Sequence, residues 1–166
     1  TPLTAEAEWQ RLEPVLPALI ELVHNAKTKI SLDTRHAHTA AQTLALGIDI
    51  INDVSGLRDV AMLEALAKYD CNIVVDKDAD IIHALIDFLK QTIVTCEKHG
   101  IHKDRLIFDP GLGFGKTADQ SVEILRRVDE LKATGLPLFI GHSRKSFLAK
   151  VSGVPASERD SLTLAV

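Results

Sequence analysis

An α/β fold built on a parallel sheet is predicted by three observations. Short apolar runs rich in β-branched residues recur roughly every 20 to 35 residues, with stretches of helical periodicity between them, as repeated right-handed β-α-β units require. Residues capable of chemistry follow these runs at similar offsets: Asp33, Asn52, Asp109 and the loop Gly141–Ser146. One run, Leu106-Ile107-Phe108, ends in Asp109-Pro110 and opens into Gly111-Leu112-Gly113-Phe114-Gly115-Lys116-Thr117. Pro110 cannot donate to a strand ladder, and three glycines let the loop backbone approach a ligand closely. A carboxylate at the C-terminal end of a parallel strand sits where open α/β sheets and β/α barrels keep their chemistry.

In chain order, Thr4 is placed to cap a helix whose apolar positions Trp9, Leu12, Val15, Leu16, Leu19, Ile20 and Val23 follow the 3.6 period, with Pro14 kinking or restarting it. A strand is expected at 29–32, then a helix from about His38 to Leu46 closed by Gly47 as a left-handed cap. A second strand at 48–51 runs into Asn52-Asp53-Val54-Ser55-Gly56. Val60, Leu63, Leu66 and Ala67 mark a helix as far as Tyr69, and 71–75 forms a third strand. The charged turn Asp76-Lys77-Asp78 leads into a long helix carrying Ile81, Ile82, Leu85, Ile86, Leu89, Ile93 and Val94, ended by Gly100. The fourth strand is 105–108. After the glycine loop, Asp119 or Ser121 starts a helix through Val122, Leu125, Val128 and Leu131, closed by Gly135. The fifth strand, 138–140, ends in Gly141-His142-Ser143-Arg144-Lys145-Ser146, a loop that opens a helix whose free N–H groups favour an anion.

The chain has 166 residues, 46% of them hydrophobic, enough for one domain with a sizeable core. A formal charge of −4 gives no basic footprint, which argues against nucleic acid or an anionic membrane as partner. No run reaches the ~18 apolar residues of a membrane span, and the N-terminus lacks the order of a signal peptide. Cys71 and Cys96 have neither metal-ligand spacing nor a secreted framework, so buried free thiols in a reducing, cytoplasmic compartment are expected. Without an initiator Met, and ending in mid-pattern at Thr163-Leu164-Ala165-Val166, the chain is expected to be an excerpt of a longer one.

The glycine loop nearly matches a P-loop through Gly115-Lys116-Thr117, yet the required first glycine falls on Pro110, so the phosphate cradle cannot form in that way. The dinucleotide pattern fails as well, because the third glycine stands at 115 instead of 116. Taken singly, each polar residue has a plain alternative: Asp33 as a helix cap, Asn52 and Asp53 as Asx-turn closers, Lys145 as a solvated helix residue. Taken together they point to one rim that offers carboxylates, an amide and a cation, suited to a heterocycle bearing N–H and C=O groups. Phe114 adds an aromatic face, and the loop carrying it is expected to act as a flexible flap. His36, His38 and His142 lie near the rim without a zinc spacing.

In series, Ser31-Leu32-Asp33-Thr34, Ile51-Asn52-Asp53-Val54-Ser55-Gly56, Phe108-Asp109-Pro110-Gly111-Leu112-Gly113-Phe114-Gly115-Lys116 and Gly141-His142-Ser143-Arg144-Lys145-Ser146 resemble the dihydropteroate synthases, folate-pathway enzymes inhibited by sulfonamides. The resemblance spans almost the whole chain. It implies a (β/α)8 TIM barrel, with residues 1–166 as a single pterin-binding domain covering strands 3 to 7, incomplete at both ends and after Val75. Five strands on length alone suit an open flavodoxin-like sheet; the resemblance favours the barrel.

The implied reaction condenses 6-hydroxymethyl-7,8-dihydropterin diphosphate with p-aminobenzoate to 7,8-dihydropteroate and diphosphate. Carried over by position, Asp33, Asn52, Asp109 and Lys145 bind the pterin, and Asp33, Asp109 and Lys145 form the catalytic set. Phe114, Gly141 and Ser146 shape the p-aminobenzoate pocket. The resemblance also implies Mg²⁺, with its ligand in an N-terminal segment outside these residues, and a homodimer. The alternatives are a methyltetrahydrofolate-binding methyltransferase acting with a corrinoid and a non-catalytic pterin-binding protein.

Overall fold

A computed structural model describes residues 3–76 and 82–165. The expected charged turn after Asp76 and the helix start at Ile81 fall in 77–81, outside the described residues. The chain divides into two compact units, Thr1–Val75 with Thr92–Leu106, and Asp76–Gln91 with Ile107–Val166.

In the first unit, the expected N-terminal helix is two: α1 (Ala5–Leu12) and α2 (Leu16–Asn25). Thr4 caps α1 by accepting from the Ala7 N–H, and the helix breaks around Pro14, with Pro17 seated in the first turn of α2. Strand β1 (Ser31–Asp33) leads to α3 (Ala37–Leu46), which stops at Gly47 with φ of 104°, as a left-handed cap should. Strand β2 (Ile50–Asp53), helix α4 (Val60–Leu66) and strand β3 (Asn72–Asp76) follow. The three strands are parallel and in sequence order. Their core is Ile51, Met62, Leu63, Leu66 and Ile73, all essentially inaccessible.

Each strand begins one or two residues later than the apolar runs suggest. Strand membership is decided by backbone ladder bonds, and these extend through the polar residues: Asp33 pairs in register with Asn52, and the Thr34 N–H donates to the Asn52 carbonyl at 3.1 Å. At the other end, Ile48 leaves the sheet and donates its N–H to the Thr43 carbonyl at 3.2 Å.

Helix α5 (Ile82–Lys98) ends before Gly100, and a short 3₁₀ turn, Lys103–Arg105, precedes β4 (Leu106–Asp109). Arg105, expected in the strand, instead turns its guanidinium onto the carbonyls of Leu66 and Cys71, both at 2.9 Å.

In the second unit, the single helix expected after the glycine loop is α6 (Ala118–Arg126) followed by α7 (Val128–Lys132). The cap of α6 is Thr117, upstream of the expected Asp119 or Ser121, because Thr117 and Gln120 form a capping box. The expected fifth strand contracts to one parallel bridge, Phe108 to Leu138. Two bonds hold it: the Phe108 N–H donates to the Pro137 carbonyl and the Phe139 N–H to the Phe108 carbonyl, each at 2.9 Å. Pro137 has no N–H to lengthen that ladder. Helix α8 (Ser146–Ser152), a 3₁₀ turn Ala156–Glu158 and α9 (Asp160–Ala165) complete the described chain, with α6 packed on α8.

Candidate active site

In the first unit, β1 and β2 set Asp33 beside Asn52. Asp33 is exposed, and partial desolvation, then the carboxylates of Glu8 and Asp53, hold its carboxyl above the ordinary value. Glu8 is fixed there by Thr34, whose buried hydroxyl donates to Glu8 Oε2 at 2.7 Å. Asn52 and Asp53 play different parts. The Asn52 Oδ1 is buried and has no hydrogen-bond partner among the described residues, a state that costs ~1–3 kcal/mol and suits an acceptor waiting for a donor. Asp53 is saturated: its Oδ1 accepts from the Ser55 N–H at 2.8 Å, and its Oδ2 from the Ser55 hydroxyl and the Leu57 N–H, both at 2.9 Å. Those bonds hold the left-handed pair Gly56 and Leu57 in place, so Asp53 is the Asx closer and Asn52 the ligand-facing group.

In the second unit, β4 delivers Asp109, only 7% exposed. Its Oδ1 accepts from the Gly111 N–H at 2.8 Å. Burial raises its pKa, opposed by that N–H and by the charges of Lys145 and Lys116. A Cβ placed on Gly141 would stand 3.8 Å from Asp109 Oδ2, so the second oxygen faces a position that carries no side chain.

Gly111, Gly113 and Gly115 all have positive φ, which accounts for three glycines in five residues. The loop expected to act as a flap carries bracing bonds of its own. Lys116 Nζ donates to the carbonyls of Gly111 at 3.0 Å and Phe114 at 3.3 Å, and the Gly113 N–H donates to Ser121 Oγ at 3.4 Å. Lys116 thereby serves its own loop in a way no P-loop lysine would.

Lys145 precedes α8 in extended backbone and makes no side-chain cap, and its ammonium lies 3.7 Å from the centroid of the Phe114 ring. A Cβ on Gly113 would meet Lys145 Cδ at 3.3 Å, so this glycine also makes room for the lysine stem. Ser146 is exposed at the first turn of α8. The predicted residues therefore assemble as Asp33 with Asn52 in one unit, and as Asp109, Gly141, Phe114, Lys145 and Ser146 in the other. Among the described residues, no group of three or more His, Cys, Asp or Glu side chains could hold a metal ion.

Several contributors carry no sequence signal of their own. Glu8 reaches Thr34 across 26 positions, and Arg144, Arg159 and Asp160 brace the Lys145 loop by contacts that only the fold creates. Ser121 was legible as a helix residue but acts as a buried acceptor for the glycine loop.

Residues 1–166 match the family described as "Pterin binding enzyme" over their whole length. The chain belongs to the pterin-binding enzyme family. Within that family its likeness is to dihydropteroate synthases. A structure of the Anaplasma phagocytophilum dihydropteroate synthase with bound 6-hydroxymethylpterin-monophosphate is 37% identical, with a TM-score of 0.94 over 99% of this chain and 68% of that one. The Thermus thermophilus enzyme in complex with 4-aminobenzoate is 31% identical, with a TM-score of 0.88 over 99% of this chain and 67% of that one. Dihydropteroate synthase from Neisseria meningitidis serogroup C is 38% identical over 167 residues, 91% of this chain. A Halobacterium salinarum protein described as "Probable bifunctional folylpolyglutamate synthase/dihydropteroate synthase" is 41% identical over 160 residues, 87% of this chain. The chain spans 58% of the Neisseria protein's length and 19% of the Halobacterium one's. The strand–helix units of this pterin-binding enzyme are thus those of a (β/α)8 barrel, of which the chain carries a part.

Proposed function

We propose that this pterin-binding enzyme is a transferase that condenses 6-hydroxymethyl-7,8-dihydropterin diphosphate with p-aminobenzoate, giving 7,8-dihydropteroate and diphosphate. The observation that carries the proposal is Asp109: a buried carboxylate at a strand end with one oxygen tied to the Gly111 N–H and the other facing Gly141, which has no side chain. Such an acceptor suits a ring N–H donor, since a charge-assisted bond in a water-poor site is strong. In this reading the buried, unpartnered Asn52 Oδ1 accepts a second ring donor and Lys145 donates to a ring acceptor.

Asp33 bears on charge. As the C–O bond breaks, its electron pair leaves with diphosphate and positive charge grows on the pterin methylene. A carboxylate near that carbon stabilises the charge, and the p-aminobenzoate nitrogen then forms the C–N bond and releases a proton. Phe114, Gly141 and Ser146 are assigned to the p-aminobenzoate side. Among the described residues no group of three or more His, Cys, Asp or Glu side chains could hold the Mg²⁺ that belongs to this reading, and no step here passes through it. A cytoplasmic location, a homodimer and inhibition by sulfonamides belong to the same proposal, as does a single pterin-binding domain over residues 1–166.

The test is to incubate the protein with 6-hydroxymethyl-7,8-dihydropterin diphosphate, labelled p-aminobenzoate and Mg²⁺ and to separate the products. Labelled pteroate is expected. Pterin binding without pteroate would replace the transferase with a non-catalytic pterin binder, and tight methyltetrahydrofolate binding without p-aminobenzoate turnover would favour a methyltransferase.

A further inference from the structure

The lysine assigned to the pterin stands on a loop whose backbone is held from outside by a later segment. Arg144, immediately before Lys145, has φ of 53°, a left-handed conformation that crowds a residue with a Cβ. Two groups hold it there. Its guanidinium makes a two-pronged bond to Asp160, Nε to Oδ1 at 2.6 Å and Nη2 to Oδ2 at 2.8 Å, and its N–H donates to Thr163 Oγ1 at 3.2 Å. The Arg159 guanidinium then spans three carbonyls: Nε donates to Val154 at 2.9 Å, and Nη1 to Arg144 at 3.0 Å and Lys145 at 3.4 Å.

Exposed ion pairs add little stability because water and salt screen them, so Arg144 and Asp160 are poorly explained as a stabilising device. Their geometry has a better use. A forked guanidinium on a planar carboxylate fixes direction as well as distance, and a fork across successive carbonyls fixes the peptide planes from which the Lys145 side chain leaves.

We infer that Arg159 and Asp160 are positioning residues for Lys145, Asp160 acting through Arg144 and Arg159 through the carbonyls of residues 144 and 145. Neither touches the substrates. Their part is to aim the lysine stem over Gly113 so that the ammonium arrives at the Phe114 face and, on the functional reading above, at the pterin. The inference rests on that reading only for its consequence in binding; the aim of Lys145 can be measured without any substrate.

The experiment has two arms. In the first, lysine labelled with ¹³C at Cε is incorporated into the full chain. One ε-methylene resonance is expected to lie upfield, shielded by the Phe114 ring, and to vanish in Lys145→Arg. Asp160→Asn and Arg159→Lys are expected to return it toward the position of solvent lysines, whereas Asp160→Glu, which keeps the carboxylate, retains it. If both variants melt like the unsubstituted chain and the resonance does not move, the inference is overturned. Should Arg159→Lys fail to fold, Asp160→Asn alters only a surface pair and decides alone.

The second arm is calorimetry with 6-hydroxymethyl-7,8-dihydropterin diphosphate. The two variants are expected to bind roughly five- to tenfold more weakly. Failure of the unsubstituted chain to bind would overturn the functional reading and leave the resonance to decide the positioning; unchanged affinity in both variants would overturn the inference alone.

Discussion

Asp109 is the residue at which stability and function pull apart. Burial raises its pKa, so the folded state resists its ionisation, while the proposed role needs the ionised form. Asp109→Asn keeps an oxygen for the Gly111 N–H and removes the charge. It is expected to weaken affinity for 6-hydroxymethyl-7,8-dihydropterin diphosphate by more than about tenfold, since a ring donor loses a charged acceptor. It is also expected to raise the melting temperature at neutral pH. The sign follows from linkage: below the ordinary carboxylate range the group is neutral folded and unfolded, and the variant should match the original. As pH rises toward the raised folded-state pKa, the unfolded chain ionises first and the original loses stability that the variant keeps. Melting curves across acidic to neutral pH would show a gap that opens upward. A gap independent of pH would mean that Asp109's charge is not what burial opposes.

At the scale of the element, α6 couples a helix cap to a substrate loop. Thr117 Oγ1 accepts from the Gln120 N–H at 3.2 Å while Gln120 Oε1 accepts from the Thr117 N–H, and the helix so started presents Ser121 to both the Thr117 carbonyl and the Gly113 N–H. Thr117→Ala should cost about 1 kcal/mol in urea unfolding and speed hydrogen exchange at the Gly113 amide. Slower unfolding or an unchanged Gly113 rate would separate the cap from the loop. The Thr-x-x-Gln box was passed over for Asp119 or Ser121 further along the same polar run, whereas the caps at Thr4 and Gly47 were legible because caps are local. Strand limits were not: Asp33, Asn52, Asp53 and Asp109 break the apolar pattern, yet their backbones still serve the ladder. The same contrast divides the site. Asp33, Asn52, Asp109 and Lys145 could be found because strand ends are where parallel sheets keep chemistry. Glu8, Arg159 and Asp160 could not, since a lone acid or base shows nothing in sequence until folding supplies its distant partner.

For the molecule as a whole, the charge balance favours neutral pH over alkali. The chain already carries a formal −4, and its two free thiols, Cys71 and Cys96, are buried. Burial pushes both upward, Cys96 from 9.0 to about 11, against the pull of Arg105. Below the ordinary thiol pKa both states of the chain are protonated and the buried sulfurs simply pack. Above it the unfolded chain sheds its thiol protons while the folded chain keeps them, so stability held at lower pH is lost as pH climbs to about 11. For Cys96 the loss is on the order of 3 kcal/mol. Alkali also neutralises lysines and ionises tyrosine, so the contribution is isolated by difference. Cys96→Ala is expected to be less stable near pH ~8, where it lacks the sulfur's packing, and to close that gap near pH ~11, where the original bears the cost of an ionisable thiol. Urea midpoints of the two proteins at both pH values measure the gap, and parallel losses would remove Cys96 from the account of alkaline unfolding.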